Sequence, residues 1–340
     1  METKRWSVDD SKPAKELIME AAEYIKKGKL VAFPTETVYG LGANALDSAA
    51  VDRIFEAKGR PKNNPLIVHV RDIKMAKSLV EEWPESAQNL AEEFWPGPLT
   101  FVLKKGKKVP SNLCAGGETV AIRMPANKIA QMLIEFAKVP IAAPSANRSG
   151  KTSTTDSIHV LEQLNGKIDG VIEGGLTKCG IESTVIDLTS RPIRQLRPGP
   201  ISLSQLELVL DESIEYQPVV IPSSIKSPMK SPGMLERHYQ PDKPLRVFST
   251  REEMLEYLKK LPDGYRYAIL SREDVFKNQR LGGEPHLHIL SDDPKQFSML
   301  IYYHLQIIEK EDIQEIVMVL PPDQQKWHAV RDRLIRASSN

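Results

Sequence analysis

The chain has 340 residues, of which 41% are hydrophobic and 27% are charged, and its formal net charge is +1. This length predicts about two domains of an ordinary globular protein. A net charge near zero excludes an overall electrostatic field that would attract nucleic acid or membrane. Two cysteines are too few for a disulfide framework or a four-ligand zinc site. The sequence lacks a signal peptide pattern and an apolar run of membrane-spanning length, so we expect a cytoplasmic protein.

The central stretch of the chain, residues 30–70, has the densest set of reactive side chains. A helix over 13–28 precedes it, and an apolar run over 30–33 predicts a buried strand. A hydroxyl-rich turn, TETVY, follows and is closed by Gly40 and Gly42. Glycines at such positions indicate a positive φ or a close approach by another group.

A helix after this turn carries two cations at its C-terminal end. Asp47 or Ser48 can cap it, and Lys58 and Arg60 close it, before a strand that contains His69. Cations at a helix C-terminus also interact favourably with the helix dipole without any ligand. For this pair alone, a structural role and a ligand-binding role therefore both stay open.

The rest of the first 211 residues alternates helices and strands. Helices are predicted over 73–80, 86–94, 127–137 and 203–210, with another from near Asp156, and strands over 99–103, 119–123, 141–143, 169–173, 183–188 and 193–196. This alternation predicts an α/β fold with a twisted mixed sheet. The lysines at 104–108 form a basic turn, interpreted as a solvated hairpin tip, with an RNA contact as the alternative.

The segment 145–152, SANRSGKT, resembles a phosphate-binding P-loop but differs at its first position. Ser145 replaces the first glycine, and the residues after Lys151 are poor helix formers. We therefore reject a P-loop, while its hydroxyls, amide and backbone N–H groups can still line a phosphate site.

Composition changes after residue 211 and divides the chain into three parts. Residues 1–211 form the first domain, and the proline- and serine-rich residues 212–244 form a semi-extended linker. Residues 245–340 form a smaller Rossmann-like α/β domain, with strands over 245–248, 267–270, 286–290 and 315–320 and helices over 252–261 and 298–308. It lacks a glycine-rich phosphate motif, and we interpret His286 and His288 as a surface pair rather than a metal site.

Several ordered motifs resemble one family, the YrdC-type threonylcarbamoyl-AMP synthases in their long form with a second domain. These motifs are PTETVYGLG, EAKGRPKNNPLIVHV, AIRMP, APSANRSG, IESTVID, RPG and SPGMLERHYQP, and they extend over roughly residues 10–243. The resemblance implies a nucleotidyltransferase that condenses L-threonine, bicarbonate and ATP and releases pyrophosphate. It also implies Mg²⁺ on the phosphates and no other cofactor. The product would pass to the proteins that modify tRNA next to the anticodon, with tRNA itself a possible partner.

The same resemblance assigns site residues by motif position. Lys58 and Arg60 would act in catalysis. Threonine would contact Thr37, His69, Arg123, Ala143 and Ser183. ATP would contact Arg60, Asn64, Thr119, Ser145, Asn147, Ser153, Arg197 and Tyr239, with Tyr239 closing from the linker. A bidentate arginine suits a carboxylate, although for Arg123 an ion pair with a nearby glutamate is the alternative.

Two other functions compete with this one. An RNA-binding module without turnover would use the lysines at 104–108 and would bind in a salt-sensitive way. A P-loop ATPase or kinase would release phosphate and would depend on Lys151.

Overall fold

The computed structural model describes residues 2–216, 239–272 and 281–338. These residues form two compact units, each with its own β-sheet. The first unit contains residues 2–149 and 153–216, and the second contains residues 150–152 and the described residues from 239 onwards. Most of the linker predicted over 212–244 lies outside the described residues, so that linker stays a prediction.

The described part of the first unit is built on a mixed sheet of eleven strands. In chain order they are β1 (Lys4–Ser7), β2 (Val31–Phe33), β3 (Gly40–Asn44), β4 (Ile67–His69), β5 (Leu99–Lys104), β6 (Thr119–Arg123), β7 (Ile141–Ala142), β8 (Gly170–Glu173), β9 (Thr184–Asp187), β10 (Arg194–Arg197) and β11 (Glu215–Tyr216). Across the sheet their order is β1-β8-β2-β3-β7-β4-β6-β5-β9-β10-β11. The sheet contains both parallel pairs, such as β4 with β6, and antiparallel pairs, such as β5 with β6, which confirms the predicted mixed α/β fold.

Helices cover the sheet of the first unit. They are α1 (Lys15–Lys26), α2 (Ser48–Lys58), α3 (Ile73–Lys77), α4 (Glu85–Phe94), α5 (Lys128–Ala137), α6 (Ser157–Leu164) and α7 (Leu203–Leu210). The Asp47 side chain caps α2 by accepting from the backbone N–H groups of Ala49 and Ala50, as predicted. Gly59, with φ of 61°, ends that helix one residue after Lys58.

The sheet is buried on both faces. Val31 and Phe33 of β2 pack with α1 and α5, whereas Ala32 between them packs into the cluster on the opposite face. Side chains alternate between the faces of a strand, so a strand covered on both sides needs apolar residues at every position. This burial explains the continuous apolar run that marks β2 in the sequence.

Three strands of the first unit were not predicted, and one of them, β11, lies within the residues that were assigned to the linker. β1 is a short edge strand, paired in parallel with β8, and only Trp6 of its four residues is buried. β3 contains Gly40 and Gly42, which were interpreted as part of a turn. Neither glycine has a positive φ. A Cβ on Gly42 would lie 2.7 Å from Phe33 and 2.9 Å from Ile141, so close packing is the reason for the glycine.

The second unit contains a parallel sheet, as predicted for a Rossmann-like domain. Its described strands are β12 (Leu245–Phe248), β13 (Arg266–Ser271), β14 (Glu284–Ile289) and β15 (Glu315–Val319), in the order β12-β15-β13-β14. Its helices are α8 (Arg251–Leu258), α9 (Pro294–Ile308) and α10 (His328–Ala337). α10 was not predicted, α9 begins four residues earlier than expected, and α8 ends three residues before the predicted limit.

Two further sequence interpretations can be compared with the described chain. His286 Nδ1 and His288 Nε2 lie 2.7 Å and 2.9 Å from the two oxygens of Glu311. The pair therefore contacts a carboxylate, but within the described ranges no group of three or more His, Cys, Asp or Glu side chains is arranged to hold a metal ion. Across those ranges, the helices also lack the length and apolar character needed to cross a bilayer.

Candidate active site

The hydroxyl-rich segment between β2 and β3 is buried. Thr35, Glu36 and Thr37 are all less than one-tenth exposed. Thr35 Oγ1 donates to the carbonyl of Val38 at 2.7 Å and lies 2.8 Å from Thr37 Oγ1. Because Val38 takes the hydrogen of Thr35, the hydrogen between the two hydroxyls comes from Thr37. Thr37 can therefore accept a hydrogen bond from a ligand but has no hydrogen left to donate.

Arg123, the last residue of β6, reaches this segment. Nη1 donates to Thr37 Oγ1 at 2.8 Å, and Nε donates to the carbonyl of Gly97 at 3.3 Å. Nη2 lies 2.6 Å from Oε1 of Glu36, and both side chains are at least nine-tenths buried. Within the described chain, Nη2 and both Glu36 oxygens nevertheless lack a hydrogen bond of proper geometry. The structure thus joins two residues predicted for threonine, Thr37 and Arg123, and also forms the ion pair considered as the alternative for Arg123.

His69 is the neighbour of Arg123 across the β4–β6 pair. Burial, together with the positive charge of Arg123, lowers the pKa of His69 from 6.5 to about 3. Its Nδ1 atom has no hydrogen-bond partner in the described part of the chain. The pocket therefore contains a neutral imidazole beside the guanidinium at any pH near neutrality.

Ser183 connects two groups of predicted residues. Its hydroxyl lies 2.8 Å from that of Thr100, which faces Arg123 in the β5–β6 register. Arg197 donates from Nε to the Ser183 carbonyl at 3.0 Å and from Nη2 to its hydroxyl at 3.1 Å. Ser183 was predicted to contact threonine and Arg197 to contact ATP. One serine therefore links these two predicted subsites.

Lys58, Ser145 and Asn147 form a second buried cluster. Lys58 Nζ donates to the backbone carbonyls of Ser145 and Asn147, and Ser145 Oγ donates to the Asn147 side chain. Burial, and to a lesser degree the charge of Arg60, lowers the pKa of Lys58 well below its usual value of 10.5. The amine at the end of α2 thus fixes the segment that resembles a P-loop.

Arg60 is held by the loop that follows it. Its Nε donates to the backbone carbonyl of Asn64 at 3.0 Å, and Nη2 donates to the Asn64 side chain and to the carbonyl of Pro65. The Asn64 amide nitrogen has no partner within the described residues. The two predicted ATP contacts are therefore neighbours, and a donor remains available on Asn64.

The other predicted residues of the first unit lie at less connected positions. Ser153 Oγ donates to Oε1 of Glu182 at 2.6 Å. The backbone N–H of Ala143 donates to the carbonyl of Ile67 at 2.9 Å, which holds Ala143 beside β4. Thr119 begins β6 and Arg123 ends it, so about 13 Å of strand separates the two and the structure does not bring them together.

Tyr239 belongs to the second unit and is 1% exposed. Its ring stacks on Tyr302 with centroids 5.8 Å apart, and the Arg333 guanidinium lies 5.5 Å from it. Thr152 Oγ1 donates to its backbone carbonyl at 3.3 Å. These contacts leave its predicted role toward ATP as a prediction.

Lys151 does not occupy a P-loop. Its Nζ pairs with the carboxylate of Asp242, and the next helix, α6, begins only at Ser157 with Asp156 as its cap. A P-loop lysine opens a helix whose first N–H groups surround the phosphates. The structure agrees with the rejection of that motif.

Three residues of this site received no role from the sequence. Glu36 and Glu182 each precede a residue that was assigned to threonine, and this adjacency was the signal for them. Thr100 had no signal, because its place opposite Arg123 is fixed by strand register.

Comparison with known proteins identifies the family of the chain. The family model Sua5_yciO_yrdC, described as "Telomere recombination", matches residues 23–199, and the model "Threonylcarbamoyl-AMP synthase, C-terminal domain" matches residues 201–339. The threonylcarbamoyl-AMP synthase of Pyrococcus abyssi is 56% identical over 65% of this chain and 64% of the relative, just under two thirds of its length. The enzyme of that name from Bacillus subtilis is 42% identical over 81% of this chain and 80% of the relative.

Solved structures give the same answer for the fold. The crystal structure of P. abyssi Sua5 complexed with L-threonine superposes with a TM-score of 0.89 at 41% identity, over 99% of this chain and 98% of that one. Escherichia coli YciO superposes with a TM-score of 0.55 at 27% identity, over 60% of this chain and 99% of that one. The chain therefore belongs to the Sua5/YciO/YrdC family, in the long form that carries the additional C-terminal domain.

Proposed function

We propose that this chain is a threonylcarbamoyl-AMP synthase, which condenses L-threonine, bicarbonate and ATP to threonylcarbamoyl-AMP and releases pyrophosphate. Its relatives carry that name. The observation that supports it most directly is a buried polar cluster in which Arg123, Thr37 and His69 lie together and Ser183 connects to Arg197. The reaction needs an amino-acid site next to a nucleotide site, and this cluster offers both.

The amino-acid side would use three complementary groups. Arg123 Nη2 has unused donors for a carboxylate, which arginine binds well in a planar geometry. Thr37 can accept a hydrogen bond, and the neutral His69 suits an uncharged hydroxyl. Ala143 would contribute its backbone and Ser183 its hydroxyl. The P. abyssi relative was solved as a complex with L-threonine, which supports the same substrate here.

The nucleotide side would gather cations and neutral donors. In the first unit the cations are Lys58, Arg60 and Arg197, and the neutral groups are Asn64, Thr119, Ser145, Asn147 and Ser153. The role of Tyr239 toward ATP stays a prediction from the motif. A triphosphate next to Lys58 would favour the protonated amine, whose pKa is lowered by burial. Binding of ATP would thus restore the charge that the phosphates need for stabilisation.

The residues present also fit a magnesium ion that arrives with ATP. Mg²⁺ in nucleotide sites takes most of its oxygens from phosphates and water and needs only one or two carboxylates. Glu182 supplies a buried carboxylate in contact with Ser153, and these two residues would hold the ion. The bound ion would neutralise developing charge on the phosphates.

Catalysis would consist mainly of positioning and charge stabilisation. Bicarbonate would supply carbon dioxide with loss of water, and the threonine amine would capture it as a carbamate with loss of a proton from nitrogen. A carbamate oxygen would then attack the α-phosphorus, with pyrophosphate as the leaving group. Arg197 and Ser183 are in contact, so they would hold the two reactants on adjacent sides of the new bond. No protein nucleophile is required for this course. We further propose that the product passes to tRNA-modifying transfer proteins in the cytoplasm.

The test is pyrophosphate release from ATP with bicarbonate across a panel of amino acids. The proposal predicts release that requires L-threonine, bicarbonate and Mg²⁺ together. Release of phosphate, or release that is independent of any amino acid, would contradict it. Salt-sensitive RNA binding would then be measured next, because the exposed lysines near residue 105 are the alternative basis for function.

A further inference from the structure

The proposed amino-acid pocket around Thr37, His69 and Arg123 contains a buried carboxylate, Glu36, that the reaction described above does not use. Its side chain is 9% exposed, and neither oxygen accepts a hydrogen bond from the described chain. A buried acceptor without a hydrogen bond is unfavourable, so such a group in a native protein calls for a ligand or another compensating contact. The nearest cation is Arg123, whose Nη2 is 2.6 Å away and is itself without a hydrogen bond.

The ion pair of Arg123 with Glu36 carries no net charge, and the low pKa of His69 keeps that imidazole neutral. Burial raises the pKa of the neighbouring Cys179 thiol to about 11, so that group is neutral too. An uncompensated charge in such a place is costly, so the pocket favours a guest without net charge. A zwitterionic α-amino acid meets this condition, whereas a simple carboxylate does not.

The free hydrogen-bonding positions match the same guest. Arg123 Nη2 offers donors, while Glu36 and Thr37 offer only acceptors. An amino acid carries one group of each kind on a single carbon atom, a carboxylate that accepts and an ammonium that donates. We propose that Glu36 binds the ammonium group of the amino-acid substrate while Arg123 binds its carboxylate, so that the internal ion pair is exchanged for two ion pairs with the substrate. This assignment rests on the proposed function and makes Glu36 a determinant of specificity for a free amine.

The experiment compares two ligands in three proteins by ligand-observed NMR, which measures weak binding without turnover. The ligands are L-threonine and (R)-3-hydroxybutanoate, which is threonine without its amino group. The proteins are the full-length wild type, Glu36→Gln and the matched control Asp169→Asn. Asp169 is a buried carboxylate in the same unit that pairs with Arg53 at 2.8 Å, outside the pocket.

We expect Glu36→Gln to weaken threonine binding about 10- to 100-fold, the usual effect of losing a charge-assisted contact. The same variant should bind 3-hydroxybutanoate equally well or more tightly, because Glu36 no longer competes for Arg123. Asp169→Asn should leave both affinities within about threefold, since the ion pair of the buried Asp169 with Arg53 lies outside the pocket. If Glu36→Gln does not fold, Glu36→Asp, which withdraws the carboxylate by one methylene, should lower the preference for threonine in the same direction.

Two outcomes would overturn the assignment. Equal weakening of both ligands in Glu36→Gln would mean that Glu36 only holds Arg123 in place. Threonine binding within about threefold of the wild type would mean that the ammonium lies elsewhere. A wild-type protein that binds no L-threonine would instead refute the proposed function, and this result is distinct from the other two.

Discussion

The neutral imidazole of His69 makes a prediction about stability in mild acid. His69 has a pKa of about 3 in the folded protein against 6.5 without burial, so the unfolded chain binds the proton more tightly. Protonation therefore favours unfolding. The penalty is absent above pH 6.5, appears as the pH falls through 6.5, and grows until the pH approaches 3.

The size of this effect follows from the shift. The free energy of unfolding falls by about 1.4 kcal/mol per pH unit, so between pH 6.5 and pH 5, roughly 1.5 units, the first unit should lose about 2 kcal/mol of stability. This figure does not depend on the exact folded pKa, provided that it lies well below 5. His69→Gln keeps a neutral polar side chain and has no proton to gain, so this part of the acid sensitivity should vanish.

The assay is urea unfolding of the wild type and of His69→Gln at pH 7 and pH 5. Three of the four tryptophans, Trp6, Trp83 and Trp95, lie in the first unit and report its unfolding by fluorescence. The difference between the two proteins should shift by about 2 kcal/mol in favour of the variant on going from pH 7 to pH 5. Carboxylates elsewhere titrate equally in both proteins and cancel. The same pH dependence in both would refute the assignment of a neutral, buried His69.

Three further predictions concern the cationic side chains of the first and second units, the packing of β3 and the cap of α2. Lys58→Ala or Arg60→Ala should reduce threonine-dependent pyrophosphate release at least about 100-fold. Lys151→Ala removes an exposed ion pair with Asp242 and should change that release less than about threefold. The opposite order of severity would contradict the proposed site. Gly42→Ala should destabilise the first unit by about 1–3 kcal/mol in urea unfolding, because its Cβ would lie 2.7 Å from Phe33; an unchanged midpoint would show that the neighbouring side chains move aside. Asp47→Ala should lower stability by about 1 kcal/mol through loss of the α2 cap, and Asp47→Asn should retain most of it; equal losses would mean that the charge of Asp47, rather than its capping contacts, stabilises the helix.

Strands with a continuous apolar sequence could be predicted, whereas the polar strand β1 and the glycine-rich strand β3 could not. β2, β5 and β6 are apolar at nearly every position because helices or neighbouring elements cover both sides. β1 contains Lys4, Arg5 and Ser7 at a sheet edge, where a polar sequence is tolerated. β3 is rich in glycine, which has low strand propensity, and its strand structure depends on the side chains of its neighbours.

For the candidate site, the sequence supplied the residues but not the contacts between them. The motifs contain Thr37, Arg123 and Ser183, and the structure gives each of them a polar partner within 3 Å. Glu36 was indicated only by its position next to Thr37, and Thr100 became part of the site only through geometry. The place of Thr100 is determined by the pairing of β5 with β6, which joins residues 23 positions apart. No local pattern carries that information, since register depends on the whole sheet.

The contacts within the site also constrain how a substrate can bind. Arg123 faces Glu36, and Lys58 donates to two carbonyls. A substrate must replace these partners, so its affinity is the difference between its own contacts and those that it displaces, rather than the full strength of an ion pair. The discrimination between ligands then depends on which partners they replace. A ligand that replaces only the partner of Arg123 leaves Glu36 buried and unpaired, whereas an amino acid satisfies both charges at once, which is a physical reason for a site selective for a free amine.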